Sequence, residues 1–162
     1  MIRSFCHRRP FRAVYYAMPP SRITALCAAA IIAALYVVGL VSGTLLRHVV
    51  QTAPLWLAVV LGWRRSVAAR WIALPIFLFW LAIVVLIWLF LLHWARVVSG
   101  HFSPAEIAMT IVMGIASTLG LTQAVRERSS LSAMTAAALV LAGVILQAAA
   151  FRISLLPGIA NR

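Results

Sequence analysis

Between Arg70 and Arg96 the chain runs for twenty-five residues, Trp71 to Ala95, without a charged side chain. At ~1.5 Å per helical residue the run reaches ~37 Å, more than the ~30 Å hydrocarbon core of a bilayer, so it crosses with some tilt. Helices buried in soluble proteins rarely need such length. The stretch is therefore read as a transmembrane helix, and the rest of the chain is read around it.

Composition agrees. Of 162 residues 65% are hydrophobic and 10% charged, with mean hydropathy +1.06, where a soluble domain carries ~25% charge. All 14 basic residues are arginine, and Glu106 and Glu127 are the only acids, giving a net charge of +12. In a soluble protein such an excess suggests nucleic acid. Here the arginines cluster between apolar runs, where they orient helices, and nucleic acid is not expected as a partner. The all-arginine, alanine-rich usage points to a GC-rich bacterial genome. Cys6 and Cys27 are too far apart for a disulfide framework or a CxxC site and are read as free thiols.

Residues 1–20 set Arg3, Arg8, Arg9 and Arg12 among Phe5, Phe11, Tyr15 and Tyr16 before Pro19-Pro20. This segment is expected on the cytoplasmic side, unstructured or against anionic lipid, where each cation contributes ~1 kcal/mol. A cleaved, arginine-rich, acid-free transit peptide is the alternative, and Met18 offers a second start.

The bundle is expected over 21–156, with spans at about 22–42, 45–63, 71–95, 104–123 and 131–151 and a short tail at 157–162. Ser21 is the expected cap of the first span, a signal anchor rather than a cleaved signal. Residues 45–63 are the ambiguous segment: Arg47 and His48 fall in the first turn and Pro54 in the middle. The arginine snorkels if the segment crosses, and Gln51 and Thr52 sit where they reach carbonyls freed by the proline kink or a neighbouring helix. Arginine distribution arbitrates. With five spans and the N-terminus inside, Arg3, Arg8, Arg9, Arg12, Arg22, Arg64, Arg65, Arg70, Arg126 and Arg128 lie inside, against Arg47, Arg96, Arg152 and Arg162 outside. A segment lying on the surface flips every later loop and spoils that bias. The expected fold is thus an all-α, polytopic five-span bundle. Four spans with one interfacial or re-entrant helix is the alternative.

Ser103-Pro104-Ala105-Glu106 reads as a capping box opening the fourth span, which assigns Ser103 and Glu106 a structural role. Ser129 or Ser130 is the expected cap of the fifth. Ala29, Ala33, Gly39, Gly43, Gly114, Gly120, Ala138 and Ala142 are the candidate helix-packing residues, Gly39 and Gly43 forming one G-x-x-x-G. By the same reasoning spans one, four and five form the tight core. The third span, bulky on every side, is expected as an outer anchor facing lipid.

Chemistry is sparse. There is no aspartate, no G-x-S-x-G, no phosphate loop and no H-E-x-x-H, and the two glutamates fall on opposite faces. No enzyme and no cofactor are expected. The predicted topology brings His48, His93 and His101 to one outer face, where imidazoles hold a metal or ligate a haem. The plainer reading is amphipathic rings at an interface. The expected role is a non-catalytic accessory subunit or scaffold in a bacterial cytoplasmic membrane, working through lipid, a second copy or a membrane-protein partner. The alternatives are an oligomeric channel or small-solute transporter with its constriction at Gln51 and Pro54, and haem or metal binding at the three histidines.

Overall fold

The computed structural model describes residues 19–95, 102–126 and 130–160. Among them lie α1 (Pro20–Val41), α2 (Leu45–Trp63), α3 (Ala68–Leu91), α4 (Pro104–Arg126), α5 (Ala133–Ser154) and a four-residue α6 (Pro157–Ala160). Helices α1 to α5 are each long and apolar enough to span a membrane, so the chain folds as a five-span bundle. The ambiguous segment is a complete helix of 19 residues, packed against α1, α3 and α5.

Local chemistry explains the ends. Pro19, not Ser21, caps α1: φ −59° and ψ 140° hold it extended, and Pro20 follows at the first helical position. Neither proline has an amide to leave unsatisfied, and Ser21 is buried in the first turn instead. Gly43 closes α1 at φ +69°, with the Thr44 amide on the Gly39 carbonyl at 2.8 Å, a Schellman turn. Arg65 (φ 55°) and His93 (φ 60°) end α2 and α3 in the same left-handed conformation. The His93 amide donates to Phe90 and the Trp94 amide to Leu89, both at 2.9 Å. This stops α3 at Leu91, short of the expected Ala95. Helix α5 starts later than expected because its cap is Ser132, whose hydroxyl accepts the Thr135 amide at 3.2 Å. Ser130 precedes that cap, and Ser129 lies outside the described residues.

Tracing the contacts, α1 meets α2 and α4, α2 meets α5, and α3 sits between α4 and α5 while also touching α1 and α2. The ring order is therefore α1–α2–α5–α3–α4. Among the described residues α4 and α5 do not meet, and neither do α1 and α5.

The expectation of an outer anchor holds for the second half of α3 and fails for the first: beyond Trp80 only Val84 is buried, whereas Ile72, Ile76, Phe77 and Trp80 pack inward. Helix α3 touches every other spanning helix, and its Ile76, Phe77 and Trp80 are among the most buried large side chains. Bulk does not prevent close approach when the partner supplies the small residue. A Cβ on Gly120 of α4 would lie 2.5 Å from the Phe77 ring. One on Gly143 of α5 would lie 2.7 Å from the Ile72 carbonyl oxygen. Helix α5 is the peripheral element, with Met134, Leu141, Val144, Ile145 and Leu146 exposed. Such exposed apolar surface is lipid-facing in a spanning bundle. A shallow groove of about 310 Å³ between α1 and α4, lined by Leu26, Ala30, Val112 and Ile115, is of the same kind.

Candidate functional site: a cleft at one end of the bundle

All five spanning helices contribute to a half-open cleft of about 470 Å³, within the ~300–1,000 Å³ typical of small-molecule sites. It lies where α1, α3 and α5 end and α2 and α4 begin. Ser42, Thr44 and Phe102 lie toward its mouth, Arg47, His48 and Glu106 one turn inward, and Gln51, Thr110 and Trp80 deeper. Leu35, Ile83, Ile87, Met113 and Phe151 supply the apolar wall. Trp80 lies eleven residues before the end of α3, so the cleft reaches ~16 Å down the bundle, near mid-bilayer. Below it Ile31, Leu55, Ile76 and Phe77 are fully buried and fill the centre.

Sequence spacing dictates the polar half. Gln51 lies one turn on from both Arg47 (i+4) and His48 (i+3), so its side of α2 is shared with each of them. Glu106 and Thr110 are four apart on α4 and share another. The imidazole of His48 rests on Gly39: a Cβ there would meet its Nδ1 at 3.1 Å. Nδ1 lies 3.0 Å from the Thr44 carbonyl and 3.3 Å from the Thr44 hydroxyl. A carbonyl only accepts, so Nδ1 carries the proton and Nε2 keeps its lone pair. Glu106 commits Oε2 to the Ser103 amide at 2.7 Å and hydroxyl at 2.8 Å, and Ser103 Oγ accepts the Glu106 amide at 3.3 Å. The capping box thus also fixes a carboxylate at the cleft wall. Two donors there lack acceptors: the buried Nε of Arg47 and the indole N–H of Trp80, a residue only 2% exposed. Buried donors of this kind cost free energy unless something accepts from them.

Beside the cleft, polar residues tie α2 to its neighbours. Gln51 donates through Nε2 to Ser154 Oγ at 3.0 Å, and Ser154 donates to the Phe151 carbonyl at 2.7 Å. Gln147 reaches the Gln51 carbonyl at 3.5 Å. Thr52 donates to the Val49 carbonyl at 3.0 Å, its hydroxyl oxygen lies 3.4 Å from the Tyr36 hydroxyl of α1, and Trp56 donates to that Tyr36 oxygen at 3.3 Å. All of this surrounds Pro54, which removes one α2 backbone donor. Gln51 is therefore tied to α5 at the inner wall of the cleft, and Pro54 is buried within the bundle.

The other candidates distribute as follows. His93 is exposed at the end of α3 and is not part of the cleft wall, and His101 lies outside the described residues. Among the described residues no three His, Cys, Asp or Glu side chains stand close enough to hold a metal. Gly39 and Gly120 sit in close helix contacts, while Gly114 meets Val84 at ordinary distance. Gly43 is an exposed turn residue, Ala29 and Ala142 are half-buried, and Ala33 and Ala138 face outward. Sequence reasoning missed Gly143, Gly62 and the joining of Glu106 to Arg47 and His48. The sequence signal for that last grouping was the shared outer face of the α2 and α4 N-termini.

At the opposite end, Arg70 is buried with its guanidinium 4.2 Å from the Trp71 ring, and Arg22 stacks on Trp63 at 5.7 Å. Cation–π pairs of this type suit the headgroup level of a membrane.

Fold and cleft together define the class: a multi-pass, all-α integral membrane protein whose bundle holds an amphipathic cleft. Compared with protein-family models, curated proteins and solved structures, the chain matches none.

Proposed function

We propose that the protein is a non-catalytic accessory component of a bacterial cytoplasmic membrane, its N-terminus inside, that holds an amphipathic small molecule in the end cleft. The observation that carries this reading is the cleft itself, polar at its mouth and apolar along its wall. A molecule with a polar head and an alkyl tail satisfies both halves, and the surrounding lipid offers many. The absence of catalysis is argued from the sequence, which has two carboxylates and no activated nucleophile motif. The orientation rests on the arginine bias.

Wild-type protein purified in mild detergent is expected to retain an extractable amphiphile and to gain thermal stability when single-chain alkyl amphiphiles are added. Ile83→Trp, which fills the cleft, should lose both properties. Identical extracts and identical stabilisation for the two proteins would refute the reading.

A solute carrier is the second reading, favoured by one feature: the cleft opens at one end and is closed below by Phe77 and Ile76. Protein-dependent flux of a small amphiphile across proteoliposomes, lost in Ile83→Trp, would promote it.

A further inference from the structure

We propose that the cleft selects an anionic head: an oxyacid group, carboxylate or phosphate, carried on a single apolar chain. This rests on the reading that the cleft holds an amphiphile and adds the charge of the head.

Arg47 lines the cleft and makes no hydrogen bond or ion pair with the described residues, although Glu106 lines it too; the Arg47 Nε is closed off, which leaves the outer guanidinium nitrogens to meet a ligand. A guanidinium is always charged and presents planar, forked donors that fit an oxyacid. Arg47 also sits in the first turn of α2, where the helix end is itself partly positive and a cation is disfavoured. An anion placed there compensates both. Trp80 lines the wall deeper in, its indole N–H closed off from the cleft, so it bounds the site rather than binding the head. Thr44 occupies the His48 Nδ1, which leaves Nε2 for the head: the neutral ring accepts there from an acid that keeps its proton, and the protonated ring donates to an ionised one. Glu106 bounds the site on the α4 side, and its charge disfavours a doubly ionised head. A singly charged head facing Arg47 is the arrangement these groups favour. The apolar wall of Leu35, Ile83, Ile87, Met113 and Phe151 then takes the chain.

The test uses the full chain in nanodiscs of neutral lipid, with binding read by native mass spectrometry. The probes are oleate, oleoyl lysophosphatidate, methyl oleate and oleylamine. Wild type is expected to bind at least one of the two anions about tenfold or more tighter than methyl oleate, as a charge-assisted hydrogen bond implies. The tighter anion identifies the head as carboxylate or phosphate. Oleylamine should bind no better than methyl oleate. Arg47→Gln should lose the anion preference while keeping its methyl oleate affinity. Arg152→Gln, an exposed arginine at the same end of the bundle, should leave the preference intact.

Equal binding of anions and methyl oleate by wild type would overturn the anionic head while leaving the amphiphile reading standing. Equal loss in Arg47→Gln and Arg152→Gln would also overturn it, since general surface charge would then explain the preference. No binding of any probe would sink both readings.

Discussion

Gly143→Ala isolates what one methyl group does where α5 meets α3. The added Cβ would stand 2.7 Å from the Ile72 carbonyl oxygen and 2.8 Å from Pro75 Cγ, where ordinary contact begins at 3.4 Å. Relief requires ~0.7 Å of separation, and neither obstacle yields. One is helix backbone and the other a proline ring, both in the buried first turns of α3. Moving α5 outward instead gives up the Phe79–Phe151 edge contact, now at 5.4 Å. Overpacking of this kind costs ~1–3 kcal/mol, against ~1 kcal/mol gained from alanine's better helix propensity. Gly114→Ala is the internal reference. It receives the same propensity gain, but its Cβ lies 3.4 Å from Val84 Cγ1, an ordinary contact. The propensity gain cancels between the two variants, so Gly143→Ala should be less stable than Gly114→Ala by ~1–3 kcal/mol. Reversible unfolding by SDS in mixed micelles, followed by far-ultraviolet circular dichroism, measures the difference. Equal stability, or a more stable Gly143→Ala, would refute the reasoning that glycine holes set the α3 packing.

Gln51→Leu removes the α2–α5 bond to Ser154 and should cost ~0.6 kcal/mol, with ~1.7 kcal/mol an upper bound for such bonds in membranes. Adding Ser154→Ala to it should cost less than the sum of the two single changes, and strict additivity in the same unfolding assay would show the bond to be energetically silent. Alkaline phosphatase fused after Arg162 should be active in a bacterial host, and a fusion after Arg65 inactive. The reverse pattern would overturn the orientation taken from the arginines.

Much of the architecture was legible before any coordinates, and for a definite reason. A bilayer supplies no partner for backbone amides, so a long apolar run must become a helix, and its length is set by the hydrocarbon thickness. That constraint located four of the five spans, and the arginine distribution decided for the short one around Pro54. The boundaries were less legible. His93 and Arg65 stop helices in the left-handed conformation that glycine usually marks, and neither residue type announces it. Ser132 could not be separated from Ser129 and Ser130 without knowing which hydroxyl meets an amide at the third helical position.

Packing was read wrongly from bulk alone. A helix rich in Phe, Trp and Ile looks like a lipid-facing anchor if each helix is judged by its own small residues. Close approach depends on the pair, however. Phe77 seats on Gly120, and Ile72 and Pro75 seat on Gly143, so the bulkiest span touches every other spanning helix, while α1 is the most buried span and alanine-rich α5 the least. Ala138, a packing candidate by composition, faces outward, while Ala136 and Gly143 on the same helix are buried.

By itself, then, the sequence determined the solvent, the helices and their number, because each follows from local composition and arginine distribution against a bilayer of known thickness. Which helices touch, which face of each turns inward, and that Arg47, His48 and Glu106 share one cleft were decided only by tertiary structure. In lipid an apolar stripe no longer says which side is inside, so facing is set by the fit of knobs to holes between particular partners. That fit is not a property of any one segment.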